Sequence, residues 1–450
     1  MSAADLAIGA AAPAPEWLLL VTSLLGGLAL FLFGLDLMTA ALKAVAGDRL
    51  RTLLAQLTVN RVTAVLSGAF VTAIIQSSSI TTVLVVSFIS SGLMSLSQAV
   101  GVILGANIGT TVTAQIIAFK VTKLSMAMIA GGFAVSFLVK SGSLRHHGRG
   151  ALGLGLVFLG MAVMSDAMAP LRNYPPFLDW MLRMEHPALG ILAAAAFTGL
   201  VQSSSATTGV VIAMASQGLI TLPAGIALIL GANVGTCVTA MLAAIGKPRE
   251  AVRASLVHVM FNVLGVVVWF GFIDQLVQIA TAMSPSASEL AGPDRLAAET
   301  PRQIANAHTA FNIANTILFL PFATLLATIA ERLVPDRPLV VEDEIRAQLD
   351  EALLDTPSLA LDQTHRTITL MGEQVVLMLE AASPAILVGA ESDLAELERM
   401  DRTIDRLHRQ VIDHLGHISQ RTLSEKQTAE LMHQMKVCNT FESIGDVIES

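Results

Sequence analysis

Two long stretches of the chain contain no Asp, Glu, Lys or Arg at all, Val62 to Phe119 and Ala188 to Gly246. A crossing helix needs about 20 apolar residues, so each stretch holds more than one element. Gln76 divides the run from Val62 to Met94 into two halves, each short for a full crossing. That pattern predicts a re-entrant helical hairpin with its tip at Gln76-Ser77-Ser78-Ser79. Irregular backbone at such depth persists only where it is buried in protein or lines a cavity. The next run, Ser97 to Phe119, reads as a helix with Asn107 at mid-length, and the flanking glycines predict a local break there. Further spans are expected near Trp17–Leu42, Lys123–Val139, Ala151–Ala169, Ser255–Ala280 and Ile304–Ile329, with a polar segment around Leu171–Pro187. The first span carries Asp36, which either faces a polar cavity or partner or sits near an interface; the pattern leaves both open.

The second charge-free stretch repeats the first. Gln76-Ser-Ser-Ser79 returns as Gln202-Ser-Ser-Ser205, and Gly105-Ala-Asn-Ile-Gly-Thr110 returns as Gly231-Ala-Asn-Val-Gly-Thr236, both 126 positions on. Thr72–Ala114 and Thr198–Ala240 are identical at 22 of 43 positions without a gap, polar positions included, so the segment is duplicated. Counting crossings starts the second repeat on the face opposite the first, which makes the repeats inverted. The positive-inside rule then places the basic loops near 47–61, 140–149 and 247–253 in the cytoplasm together with the C-terminal tail. The N-terminus falls outside, as do Lys120 and Lys123. No basic region precedes the first apolar run, so the first span is expected to be an uncleaved anchor.

After residue 330 the pattern changes. Leu397, Met400, Ile404, Leu407, Val411, Leu415 and Ile418 advance by three or four, the mark of one buried helix face. Helices are expected across His365–Ala382, Glu391–Ser419 and from Glu425 to the end, where the pattern runs on without a stop signal and reads as an incomplete bundle. The division is thus 1–330, a transmembrane domain with repeats at about 62–119 and 188–246, and 331–450, a soluble helical domain. The fold class is all-α: a polytopic membrane protein with two inverted repeats containing re-entrant helical hairpins, plus a cytoplasmic helical-bundle tail.

Composition fits this division. Of 450 residues 54% are hydrophobic and only 14% charged, which places the chain among integral membrane proteins. Residues 1–330 carry net charge +4 and residues 331–450 net −12. An acidic tail excludes nucleic acid as a partner. Cys237 and Cys438 lie in different domains and form no disulfide framework.

Unpaired hydroxyl and amide groups cost about 1–3 kcal/mol each to bury, so four in a row, twice, point to a ligand. Hydroxyls, amide oxygens and freed carbonyls are hard neutral ligands suited to sodium. Helix N-termini at the hairpin tips suit an oxyanion. Neither repeat holds a Lys or Arg to neutralise that anion, so a co-bound cation must supply the charge. Sodium-coupled transport of a phosphate-like ion follows as the mechanism, by alternating access between broken helices.

The doubled Gln-Ser-Ser-Ser motif, each followed by Gly-Ala-Asn-X-Gly-Thr, resembles the type II sodium–phosphate cotransporter family over about residues 20–330. The resemblance implies inorganic phosphate as substrate, sodium as coupling ion, and a multi-pass protein of the cell inner (plasma) membrane; a homodimer is compatible with it. By position it assigns phosphate to Ser77, Ser78, Ser79, Ser203, Ser204 and Ser205, and sodium to Gln76, Asn107, Thr110, Gln202, Asn233 and Thr236. Cys237 stands where the first repeat has Thr111, a poor sodium ligand. The tail resembles a PhoU-like domain, whose paired acids bind metal; Asp401 with Asp405 and Glu442 with Asp446 would hold a divalent or iron ion, and a solvated acidic face is the plainer alternative. His258-X-X-Phe261-Asn262 returns as His308-X-X-Phe311-Asn312, read as packing or gating before direct ion contact. Two rival functions stand beside transport: a membrane-anchored phosphate sensor, and an intramembrane serine hydrolase. The second is opposed by the lack of an acid or His near the serines and of a Gly-X-Ser-X-Gly elbow, so no enzymatic activity is expected.

Overall fold

The computed structural model describes residues 15–46, 60–90, 94–119, 122–139, 142–245, 249–335, 349, 353–354, 356–388, 391–421 and 423–449, and contains helices and turns but no strand among them. They fall into two compact units. One comprises 15–46, 60–82 and 96–334; the other comprises 83–90 and 94–95 with the C-terminal helices.

In the first unit α1 (Trp17–Ala46) lies along α6 (Gly142–Met168). Asp36 is on an exposed face of α1 and takes no part in the interior. Between them in sequence come α2 (Arg61–Ile75), α3 (Ser78–Ser90), α4 (Leu96–Ala118) and α5 (Ser125–Leu138). After α6 a short α7 (Pro175–Arg183) meets α8 (Pro187–Val201) at 102°. The second repeat continues with α9 (Ser204–Ser216) and α10 (Leu222–Ala244). Its three helices have the same lengths, 15, 13 and 23 residues, as α2, α3 and α4. The duplicated sequence therefore forms the same succession of helices twice, two short ones about an elbow and then a longer one.

The expected break at Asn107 is absent: α4 runs unbroken, as does α10. The glycines serve a close approach instead. A Cβ on Gly105 would overlap the Val65 carbonyl oxygen of α2, and one on Gly231 the equivalent Ile191 oxygen of α8. With no side chain in the way, the backbones of each pair meet along most of the shorter helix.

The breaks occur further on, where the sequence predicts single spans. Helix α11 (Arg249–Trp269) passes through a 3-10 turn at Phe270–Phe272 into α12 (Ile273–Ala282). Helix α13 (Gly292–Phe319) passes through one at Leu320–Phe322 into α14 (Ala323–Leu333). Phe261 packs edge-on against Phe319 at 5.8 Å, while Phe311 packs against Trp269 at 6.1 Å. Phe311 and Phe319 stand fifty positions after Phe261 and Trp269, so the two runs cross antiparallel by exchanging equivalent contacts. Between those contacts Gly265 leaves the space that Asn315, its counterpart, fills.

Six helical runs among the described residues are long and apolar enough to span a membrane: 17–46, 96–118, 142–173, 222–244, 249–282 and 292–333. Counted as one span, the bent pair α7–α8 makes a seventh. Leucine and phenylalanine side chains along α1 and α5 face outward, Leu18, Phe33 and Phe137 among them, as expected for a surface in contact with lipid. The basic link predicted as a loop at 140–149 is helical from Gly142, so Arg145, His146, His147 and Arg149 lie on the first turns of α6. Of the other basic positions used for orientation, Arg61 opens α2 and Arg249 and Arg253 lie on the first turns of α11, while 47–59, 120, 140 and 247 lie outside the described residues.

The second unit contains α15 (Pro357–Val388), α16 (Glu391–Ser419) and α17 (Glu425–Glu449), each packed on the other two. Leu397, Ile404, Leu407, Val411, Leu415 and Ile418 of α16 are buried as their spacing requires.

Candidate functional site

Both hairpins turn on a glutamine in the left-handed region. Gln76 has φ 58° and Gln202 φ 56°, the two positive-φ residues other than glycine among those described. A non-glycine residue held there costs on the order of 1 kcal/mol or more and persists only when its surroundings fix it. The fixing contacts are the same twice. The Gln76 N–H donates to the Thr72 carbonyl and the Gln202 N–H to the Thr198 carbonyl, both at 2.7 Å. Thr72 and Thr81 share a hydroxyl bond of 2.8 Å across the first elbow; Thr198 and Thr207 share one of 2.7 Å across the second. All four threonines are buried.

The serine after each glutamine caps the outgoing helix. Ser77 Oγ accepts from the Ile80 N–H at 3.3 Å and Ser203 Oγ from the Ala206 N–H at 3.1 Å. The remaining first-turn N–H groups, at Ser78 and Ser79 and at Ser204 and Ser205, have no partner within their own helix. Each elbow thus presents serine hydroxyls and backbone donors at the positive end of a helix dipole, the arrangement that receives an oxyanion.

The glutamine side chains differ. Gln76 is buried; its amide oxygen accepts from Thr113 Oγ1 of α4 and its nitrogen donates to the Ala73 carbonyl. Gln202 is exposed. The hydroxyls of Thr110 and Thr236 each bond one turn back, to Ala106 at 3.1 Å and Ala232 at 3.0 Å. Cys237 is buried with its thiol 3.9 Å from the Asn233 carbonyl. Helix α9 packs on both α4 and α10, so the second elbow's outgoing helix lies against the asparagine-bearing helices of both repeats.

The two asparagines also differ. Asn233 donates to Asn312 Oδ1 at 3.2 Å, and its own oxygen lies 3.1 Å from His308 Nε2. Since an amide oxygen only accepts, His308 carries its proton on Nε2. Asn107 donates to the Ile103 carbonyl of its own helix at 3.0 Å. Gln115 ties α4 to α13 through Ala305, Asn306 and Thr309 at 2.9–3.2 Å.

Sequence reasoning missed Thr72, Thr81 and Thr113. The signal was present, because these residues and Thr198, Thr207 and Thr239 are among the identities of the duplication.

In the tail, carboxylate oxygens of Asp401, Asp405 and Asp446 come within 4.8 Å of one another. Asp401 is buried, its Oδ1 has no hydrogen-bond partner, and Glu442 is near enough to act on it. Burial first, then the charges of Glu449, Asp405, Asp446 and Glu442, push its pKa up to about 6. An orphaned oxygen among three hard ligands fits a divalent cation, whose charge would oppose that shift.

A family model described as Na+/Pi-cotransporter matches residues 30–166 and 177–285, and one described as PhoU domain matches 368–450. A putative inorganic phosphate export protein, YjbB, of Salmonella typhimurium is 26% identical over 433 residues, 96% of this chain and 77% of that protein. The uncharacterized protein YqeW of Bacillus subtilis is 28% identical over 306 residues, 68% of this chain and 95% of that protein. The human sodium-dependent phosphate transport protein 2C is 38% identical over 86 residues, 18% of this chain and 14% of that protein. No solved structure matches the chain.

Proposed function

The chain belongs to the Na+/Pi-cotransporter family, and we propose that it carries inorganic phosphate across the membrane with sodium as the co-transported ion. The observation that carries this reading is the pair of equivalent elbows, each a helix N-terminus with serine hydroxyls and no fixed cation. Such a site binds phosphate with a charge of about −1.5 to −2 at neutral pH only if cations enter with it. Ser77–Ser79 and Ser203–Ser205 take the phosphate oxygens in this reading. Gln76, Asn107, Thr110, Gln202, Asn233 and Thr236 supply amide and hydroxyl oxygens to sodium. The sodium-dependent name of the human relative supports the ion.

Alternating access is part of the proposal. Two repeats of equal build and an antiparallel exchange between α11 and α13 support inverted halves that swap roles across the bilayer. The relatives that match nearly the whole chain are named for export. A coupled carrier runs either way, so net direction in the cell follows from the combined gradients. The tail lies in the cytoplasm in this reading, and Asp401, Asp405 and Asp446, with Glu442 beside them, hold a divalent cation there.

Phosphate uptake into proteoliposomes tests the reading. With sodium outside, labelled phosphate accumulates; with potassium or choline in its place, uptake falls to the level of protein-free vesicles. Uptake undiminished by the exchange refutes sodium coupling.

A further inference from the structure

Helices α11 and α13 carry the same element fifty positions apart, His258 with Phe261 and Asn262, and His308 with Phe311 and Asn312. Both helices pack on both motif helices, α4 and α10. His308 on α13 meets Asn233 on α10; by the duplication the corresponding pair is His258 on α11 and Asn107 on α4, two helices that pack on each other. The four asparagines and two histidines are all buried. Within each element one bond is common to both: Asn262 donates to the His258 carbonyl and Asn312 to the His308 carbonyl, each at 2.9 Å.

Between helices the two halves part. In the second half the clasp is made: His308 Nε2 reaches the Asn233 oxygen at 3.1 Å, and the Asn233 nitrogen reaches Asn312 at 3.2 Å. In the first half it is open. Both ring nitrogens of His258 are buried without a hydrogen-bond partner, and Asn107 turns its nitrogen to its own helix. A buried imidazole with neither nitrogen satisfied is expensive in an apolar interior. A partner brought to it by a shift of the same helices would lift that cost.

We propose that His258 and His308 are positioning residues that take turns: each clasps the motif asparagine of its half in one access state and releases it in the other. In the arrangement described here Asn233 is clasped, its amide oxygen occupied by His308, while the Asn107 oxygen meets no donor among the described residues and is open to a cation. Exchange of the two clasps closes Asn107 and opens Asn233. The inference rests on the alternating-access reading and adds to it which side chains hold each state.

The full chain is tested with Cys237→Ser and Cys438→Ser as background and Gln202→Cys as a single reporter. A membrane-impermeant maleimide labels it from either side of sealed proteoliposomes, and the ratio of the two labellings is read. His308→Leu removes the made clasp and shifts the ratio about twofold to tenfold one way. His258→Leu removes the alternative clasp and shifts it the other way, and the double variant returns toward the parent. His308→Gln, which keeps an N–H of similar reach, stays near the parent. Should the leucine variants fail to fold, His258→Asn and His308→Asn, polar but too short to reach across, carry the same opposite shifts. Shifts in the same direction, or none, in folded protein overturn the proposal. Sodium-dependent phosphate uptake is measured alongside with the unsubstituted protein, because Gln202 is itself a proposed sodium ligand. Uptake without opposite shifts sinks the clasp alone, and opposite shifts without uptake sink the phosphate reading alone.

Discussion

Gln76 and Gln202 share a left-handed backbone but not their surroundings, and substitution separates the two roles. Gln76→Ala removes the acceptor of Thr113, leaving a buried hydroxyl unmet at a cost of roughly 1–3 kcal/mol. Thermal unfolding of the purified protein should fall measurably for Gln76→Ala. Gln202→Ala, on an exposed side chain, should leave unfolding close to the parent while weakening apparent sodium affinity in flux assays, on the order of fivefold to a hundredfold if one ligand is lost. Equal thermal losses in both variants would show that the second glutamine is structural as well. The polar motif residues were legible in the sequence because hydroxyls and amides in charge-free stretches demand an explanation. Their unequal engagement was not. Nothing in two identical Gln-Ser-Ser-Ser strings distinguishes a glutamine held by Thr113 from an exposed one, for Thr239 stands at the equivalent place of the second repeat.

Among elements, the hairpins were legible from length alone, because a charge-free run split at a glutamine leaves two short helices. The glycines of α4 misled for a physical reason. Glycine weakens a helix by about 1 kcal/mol relative to alanine, yet it also permits backbone contact, and only the position of the neighbouring helix decides between the two. Gly105→Ala and Gly231→Ala drive a methyl into the Val65 and Ile191 carbonyls, and both should lower folded yield and melting temperature. Gly26→Ala, with nothing within 4 Å of its added Cβ, should be neutral or slightly stabilising. Similar melting for all three would mean that the α2–α4 and α8–α10 contacts are looser than described. The 3-10 turns after Trp269 and Phe319 were not legible, for Phe-Gly-Phe and Leu-Pro-Phe lie inside continuous apolar runs. In the tail, the α16 stripe was read correctly from its spacing, and Asp401 supplies a pH test. Its pKa is raised, so its contribution favours folding below the ordinary carboxylate range and is lost as pH rises through about 6. Without divalent ions, Asp401→Asn should slow amide exchange in α16 and α17 of the full chain at pH 8 and have little effect at pH 4. A variant that exchanges faster at pH 8 in chelator would show that the carboxylate is already neutralised by a partner.

At the scale of the whole molecule, the apolar runs and the charge step near residue 330 carried the reading of a multi-pass membrane protein with an acidic helical tail. The duplication carried the pairing of elements. What composition leaves open is coupling, because neutral oxygens that bind sodium could serve a cation that merely activates the site as well as one that travels. The account holds that sodium travels with phosphate, since the elbows contain no fixed positive charge to offset the anion. The most direct measurement is therefore reciprocal. Proteoliposomes are prepared with equal sodium on both sides, phosphate is added outside only, and labelled sodium entry is followed with the membrane potential clamped. The account predicts net sodium entry while the phosphate gradient lasts and none when phosphate is equal on both sides. Phosphate entry with no net movement of sodium would contradict it.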